Sequence, residues 1–168
     1  NLQRDIPIKF IIAPHVISNS HIDNIESQFG KSQCVRYSDA KKSYGEGNTG
    51  YSSKQIMIID NIGMLSSIYK YAHIAYIGGG WGKGIHNILE AVTFGKPVIF
   101  GPNYTKFNEA HAIIENGGGH SYHTQDQLNN ILNTWLTQPA SYQEASSQCF
   151  QYIQNNLGGT NTILKQVV

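Results

Sequence analysis

Several features that would assign a chain quickly are scarce in this one. Its 168 residues include two cysteines, Cys34 and Cys149, far apart and without a CxxC pair. Neither a disulfide scaffold nor a thiolate zinc site is expected, and both thiols read as packed and inert. Charge is thin, at 14% of residues with a formal net charge of +1, and no basic run is present. Binding to a phosphate backbone depends on clustered Lys or Arg, so nucleic acid is not expected as a partner. No apolar stretch approaches the ~18 residues that cross a bilayer, and the N-terminus has no signal-peptide pattern. The expectation is a soluble, cytoplasmic domain without a membrane span. The first residue is Asn1 rather than Met, and a strand comes almost at once. Residues 1–168 therefore read as one domain of a longer protein.

What the sequence does hold is concentrated between Ile74 and Pro102, IAYIGGGWGKGIHNILEAVTFGKPVIFGP. An apolar run, Ile74 to Ile77, meets seven residues of which five are glycine. Ile85 to Phe94 then has helical spacing up to Gly95, and Val98 to Phe100 is a second apolar run. A strand, glycine loop, helix and strand in this order suit a phosphate, because glycines allow close backbone approach and a helix N-terminus offers unpaired N–H donors. Two nucleotide fingerprints fail register by register. For GxGxxG the third glycine falls on Lys83, Ile85 or Asn87, which disfavours NAD and FAD. For the P-loop, Gly30-Lys31-Ser32 has Ile25 at the leading position, and Gly82-Lys83 is followed by Gly84.

Elsewhere the chain alternates strands and helices. Ile8 to Ala13, Cys34 to Tyr37, Ile56 to Ile59 and His120 to Tyr122 read as further strands, the first as one buried on both faces. Helices are expected over His21 to Phe29, from an Asp60 or Asn61 cap through Tyr69, and from an Asn108 cap through Ile114. A helix after the Thr124/Gln127 capping box, one from Pro139 that buries Phe150 and Ile153, and a short one over Asn161 to Val168 complete the series. Ser38 to Ser53 is polar, lacks a periodic apolar face and reads as an exposed loop. Such alternation points to an α/β fold with a Rossmann-like, doubly wound parallel sheet, whose ligands sit at the carboxyl ends of the strands. That singles out the loops Pro14 to Ser20, Asp60 to Leu65, Gly78 to Asn87 and Gly101 to Phe107.

At the end of the glycine loop His86, Asn87 and Glu90 lie at helical spacing on one flank, so a carboxylate behind a phosphate site can accept hydrogen bonds from ribose hydroxyls. His86 is either a donor to an anionic ligand or a structural histidine. His120 and His123 lack a third ligand at convincing spacing, so no metal is expected. The ten tyrosines are scattered and read as half-buried packing residues.

Ile59 to Ala110 closely resembles the C-terminal half of bacterial 3-deoxy-D-manno-octulosonic acid (Kdo) transferases. The likeness extends upstream through Ala13-Pro14-His15 and Arg36-Tyr37-Ser38 and, more weakly, downstream through Gly117 to Gly119. The resemblance implies the C-terminal, donor-binding half of a GT-B glycosyltransferase, in which two Rossmann-like domains face each other across a cleft. It implies CMP-Kdo as donor, held by Pro14 and His15, by Ile62, Gly63 and Met64, and by Gly79, Gly80, Gly84 and Asn87-Ile88-Leu89-Glu90. Other members have arginine where this chain has His15. The acceptor, a lipid A precursor, and the catalytic base belong to an N-terminal domain outside this chain, at the cytoplasmic side of the inner membrane. The implied reaction is inverting, with no cofactor and no metal; the fragment alone is expected to be inactive, and Lys83 or His86 to neutralise the donor carboxylate. Two alternatives stay open: another GT-B sugar-nucleotide enzyme, such as a UDP-sugar transferase or UDP-sugar 2-epimerase, or a non-catalytic nucleotide-binding module.

Overall fold

The structure, a computed structural model, describes residues 7–45 and 50–158. The chain divides between Ile68 and Tyr69 into two compact units. The first holds β1 (Phe10–Ile12), α1 (Asn19–Phe29), β2 (Cys34–Arg36), α2 (Tyr37–Gly45), β3 (Ile56–Ile58) and the single turn α3 (Leu65–Ile68). Its strands form a parallel sheet in the order β1-β3-β2, with Phe10 opposite Ile56 and Ile12 opposite Ile58. Ile22, Cys34, Ile56 and Ile58 make its core, with Ile12 and Ile25 packed against them. The apolar run of β1 predicts a strand covered on both faces. It is instead an edge strand, and Phe10 and Ile11 remain 48% and 42% exposed.

The second unit holds β4 (Ala75–Ile77), α4 (Leu89–Val92), β5 (Val98–Phe100), α5 (Asn108–Glu115), β6 (Gly119–Ser121), α6 (Gln125–Thr137) and α7 (Pro139–Asn156). Its sheet, β4-β5-β6, is again parallel. β5 is buried on both faces: Val98 and Phe100 join one cluster with Ile77, Ala91 and Ile113, while Ile99 joins Trp135 and Tyr142 on the other side. The α/β, parallel, Rossmann-like reading holds, with the six strands of the described residues spread over two three-stranded sheets.

Several boundaries differ from the sequence reading, each for a local reason. α1 begins two residues early because the Ser18 hydroxyl accepts the His21 N–H at 3.3 Å. The stretch read as a loop from Ser38 opens with α2, since Ser38 donates its N–H to Asp60 at 3.0 Å and its hydroxyl to the same carboxylate. Asp60 is thus committed to α2 rather than to capping α3. Phe107, not Asn108, is the N-cap of α5. The Thr124/Gln127 capping box is present in full. α7 buries Tyr142, Ala145 and Cys149 at helical spacing, which turns Phe150 outward to 55% exposure while Ile153 packs on the core. The helix expected over Asn161 to Val168 lies outside the described residues.

Candidate functional site

In the first unit the loops after β1 and β3 leave the same end of the sheet, because those strands are parallel neighbours in register. One carries Pro14 and His15, the other Ile62, Gly63 and Met64. Gly63 has φ 90°, a conformation that favours glycine, and Ile62 is 90% exposed beside it. The Asn61 Oδ1 atom is buried without a hydrogen-bond partner among the described residues.

The second unit builds the glycine loop at the carboxyl end of β4. Its first turn is closed by the Gly82 N–H donating to the Gly79 carbonyl at 2.8 Å, and its return by the His86 N–H donating to the Gly78 carbonyl at 3.0 Å. Gly79 has φ 87°, and a methyl there would stand 2.3 Å from the Gly84 carbonyl oxygen. Gly80 lies against the backbone of Gly101 at the end of β5, where a methyl would meet the Gly101 nitrogen at 2.6 Å. Asn103 fastens the two loops: its N–H donates to the Gly80 carbonyl at 2.9 Å, its side-chain amide to the Gly82 carbonyl at 2.8 Å, and its carbonyl accepts the Ile85 N–H at 3.2 Å. At the loop tip the Trp81 indole N–H donates to the Tyr122 hydroxyl at 3.2 Å, which also hydrogen-bonds the Tyr76 hydroxyl at 2.9 Å. Burial and that Tyr122 bond push the Tyr76 phenol up to about 12. Two tyrosines read as scattered packing, Tyr76 and Tyr122, therefore join Trp81 in one hydrogen-bonded group that holds the loop.

This tethering corrects one expectation. Ile85 to Phe94 does not form a helix throughout: α4 is a single turn over Leu89–Val92, and Ile85 and Ile88 are buried as anchors ahead of it. Helical spacing of apolar residues survives, but the Leu89 N–H, which a helix begun at Ile85 would give to the Ile85 carbonyl, is taken by the Asn87 side chain, so the ladder starts only with the N–H groups of Ala91 and Val92 on the Ile88 carbonyl. Too short a helix remains for an appreciable macrodipole. Any anion at this loop must be met by its amides and side chains.

Of the three residues expected on one flank, two are joined. The Asn87 side-chain oxygen Oδ1 accepts the Leu89 N–H at 3.0 Å, while the side-chain nitrogen Nδ2 donates to Glu90 Oε1 at 3.2 Å. Asn87, one residue ahead of the Ile88 N-cap, holds the first N–H of the short helix and the Glu90 carboxylate at once. Glu90 is half-buried, and its charge, after burial, contributes to raising the Tyr69 phenol. His86 is exposed, with its ring against Gly78. Lys83, in the loop, is exposed. Asn103 escapes sequence reasoning; its loop stands out as a strand end, but only the fold brings it against Gly80 and Gly82. His120 packs on the Trp135 ring, and burial lowers its pKa. Among the described residues no group of three or more His, Cys, Asp or Glu could hold a metal ion, and no helix is long and apolar enough to cross a membrane.

No family model matches the sequence. Among curated proteins, the 3-deoxy-D-manno-octulosonic acid transferase of Rickettsia typhi is 28% identical over 129 residues, covering 76% of this chain and 28% of that protein. The transferase of the same name from Aquifex aeolicus is 32% identical over 113 residues, covering 66% of this chain and 28% of its own length. The chain thus spans little more than a quarter of these relatives. The crystal structure of the C-terminal CMP-Kdo binding domain of WaaA from Acinetobacter baumannii superposes with a TM-score of 0.61 at 16% identity, covering 88% of this chain and 90% of that one. WaaG, a glycosyltransferase of lipopolysaccharide biosynthesis, matches with a TM-score of 0.53 at 15% identity, covering 90% of this chain and 44% of that one. By sequence the chain is a relative of the Kdo transferases, and its fold is that of the C-terminal half of a GT-B glycosyltransferase.

Proposed function

We propose that this chain, a relative of the Kdo transferases, is the donor-binding domain of such an enzyme and holds CMP-Kdo, with the glycine loop on the phosphate and Glu90 on the ribose. The observation that carries the reading is the Asn87–Glu90 pair. A carboxylate aimed by an amide that is itself fixed to the backbone of Leu89 suits two adjacent hydroxyl donors. For Pro14, His15, Ile62, Gly63 and Met64, in the first unit, the resemblance implies contacts to the cytidine and phosphate, and Ile62 is exposed there.

In the complete protein the reaction is transfer of Kdo to a lipid A precursor at the cytoplasmic side of the inner membrane. A base on the N-terminal domain takes the proton from the acceptor hydroxyl, whose oxygen attacks the anomeric carbon from the face opposite the phosphate. The bond from that carbon to the phosphate oxygen breaks and its electron pair leaves with CMP, giving inversion. This chain's share is to bind the nucleotide and stabilise the negative charge on the departing phosphate through loop N–H groups, while Lys83 or His86 meets the donor carboxylate. That arrangement requires no metal and leaves the chain inactive alone.

Calorimetric titration with CMP, UMP and UDP tests the reading. CMP should bind best, and both Glu90→Ala and Gly80→Val should weaken it about tenfold or more. Preference for UMP or UDP would favour another GT-B sugar-nucleotide enzyme. Binding indifferent to both substitutions would favour a module that uses a different surface, and measurable transfer by the purified chain would contradict the division of labour.

A further inference from the structure

The glycine loop also borders a small open cavity of about 190 Å³. Gly82 and Lys83 line it from one loop; Asn103, Thr105, Lys106 and Phe107 line it from the loop after β5. The cavity is a product of the tethering between the two loops. The Asn103 side-chain amide bonded to the Gly82 carbonyl sets the distance between them, and the Phe107 ring packs on Gly84, where a methyl would meet it at 3.0 Å. Two lysines from separate loops therefore line one concavity that has no carboxylate in its wall. Like charges placed together cost free energy unless an anion joins them. Among the described residues the ion pairs belong to Arg36 with Asp23 and Glu26, so neither lysine has an acidic partner.

We propose that Lys106, together with Lys83, forms the subsite for the carboxylate of the donor's sugar acid. The inference rests on the proposed function and deepens it: Lys106 adds a second cation from a loop that the sequence alone does not assign to the sugar. The nucleotide phosphate takes the amides of the glycine loop, and a carboxylate one sugar carbon from the departing oxygen takes the lysine flank. Thr105 and Asn103 supply neutral hydrogen-bonding groups for sugar hydroxyls beside it. A neutral hexose in the same place would leave both lysines without an anion, so the pair selects for an acidic sugar.

Calorimetric titration of the intact chain with CMP and with CMP-Kdo tests this in wild type, Lys106→Gln and Lys106→Arg. Wild type should bind CMP-Kdo more tightly than CMP. Lys106→Gln should lower the CMP-Kdo affinity about two- to fivefold, with a smaller effect on CMP, and Lys106→Arg should restore it. The CMP-Kdo advantage should also shrink with rising salt. Equal affinity of wild type for the two ligands, or an equal loss on both in Lys106→Gln, would overturn the subsite. If CMP itself does not bind, the functional reading fails and free Kdo decides the subsite: shifts of the Thr105 and Phe107 amides that vanish in Lys106→Gln support it, and unmoved amides overturn it.

Discussion

Replacing Gly80 by alanine puts a methyl carbon where the backbone of Gly101 already stands. The new carbon would lie 2.6 Å from the Gly101 nitrogen and 2.7 Å from its Cα, against about 3.5–4.0 Å for an unstrained carbon contact. Both partners are main chain, so no side-chain rotation relieves the clash. The strand ends of β4 and β5 must part by roughly 1 Å, which also pulls the Asn103 N–H from the Gly80 carbonyl it now meets at 2.9 Å. Overpacking of this kind costs about 1–3 kcal/mol, and the lost hydrogen bond about 1 kcal/mol more. At about 2–4 °C per kcal/mol, the melting temperature should fall on the order of 10 °C. Tryptophan fluorescence is the assay of choice, because both tryptophans, Trp81 and Trp135, lie in the second unit and report on it alone. Gly82→Ala is the matched control: its methyl would meet only the Gly79 carbonyl oxygen, at an ordinary 3.6 Å, and its melt should stay close to wild type. Equal melting of the two variants would refute the claim that Gly80 is required by close backbone approach.

Asn87→Ala uncaps Leu89 and frees Glu90, so it should cost about 1 kcal/mol of stability and weaken CMP binding in calorimetry; unchanged affinity would mean that the carboxylate needs no orienting partner. In the first unit, the Arg36 guanidinium hydrogen-bonded to Glu26 holds that carboxyl below its ordinary range. Folding lowers this pKa, so the pair's stabilisation is complete above the ordinary glutamate value of about 4.3 and is lost as the pH falls through the lower folded value. The difference in urea midpoint between wild type and Glu26→Gln should therefore shrink on acidification from pH ~7 to ~3, and a constant difference would contradict the assignment. Burial pushes the Cys149 thiol up to about 12, and its Sγ donates to the Gly118 carbonyl at 3.1 Å; burial also raises Cys34. Neither should react with a disulfide reagent at pH ~8 until the chain is denatured, and stoichiometric labelling of the native chain would contradict their burial.

Strand positions are legible in the sequence because apolar runs ending at glycine or proline have few other uses: Val98 to Phe100 is located to the residue, and Ala75–Ile77 within one. The Thr124 cap is legible because its capping box is a local code. Features fixed across distance are not. Nothing near Ile85 shows that its N–H will be held by Asn103 across the two loops. Nothing near Asp60 shows that Ser38 will claim its carboxylate. Phe150 sits in an apolar pattern, but the face of α7 is set by Tyr142, Ala145 and Cys149, and Phe150 falls beside that face. The site obeys the same division. Its glycines, Asn87 and Glu90 can be singled out from spacing, whereas Asn103 and the second lysine, Lys106, enter only when β5 is laid beside β4.

The central claim, that the glycine loop and the Asn87–Glu90 pair form a cytidine nucleotide site, is tested most directly by a crystal structure of the chain with CMP bound. The ribose hydroxyls should lie within hydrogen-bond distance of the Glu90 carboxylate, with the phosphate against the Gly79–Gly84 backbone. A nucleotide seated elsewhere, with Glu90 still bonded only to Asn87, would contradict the account.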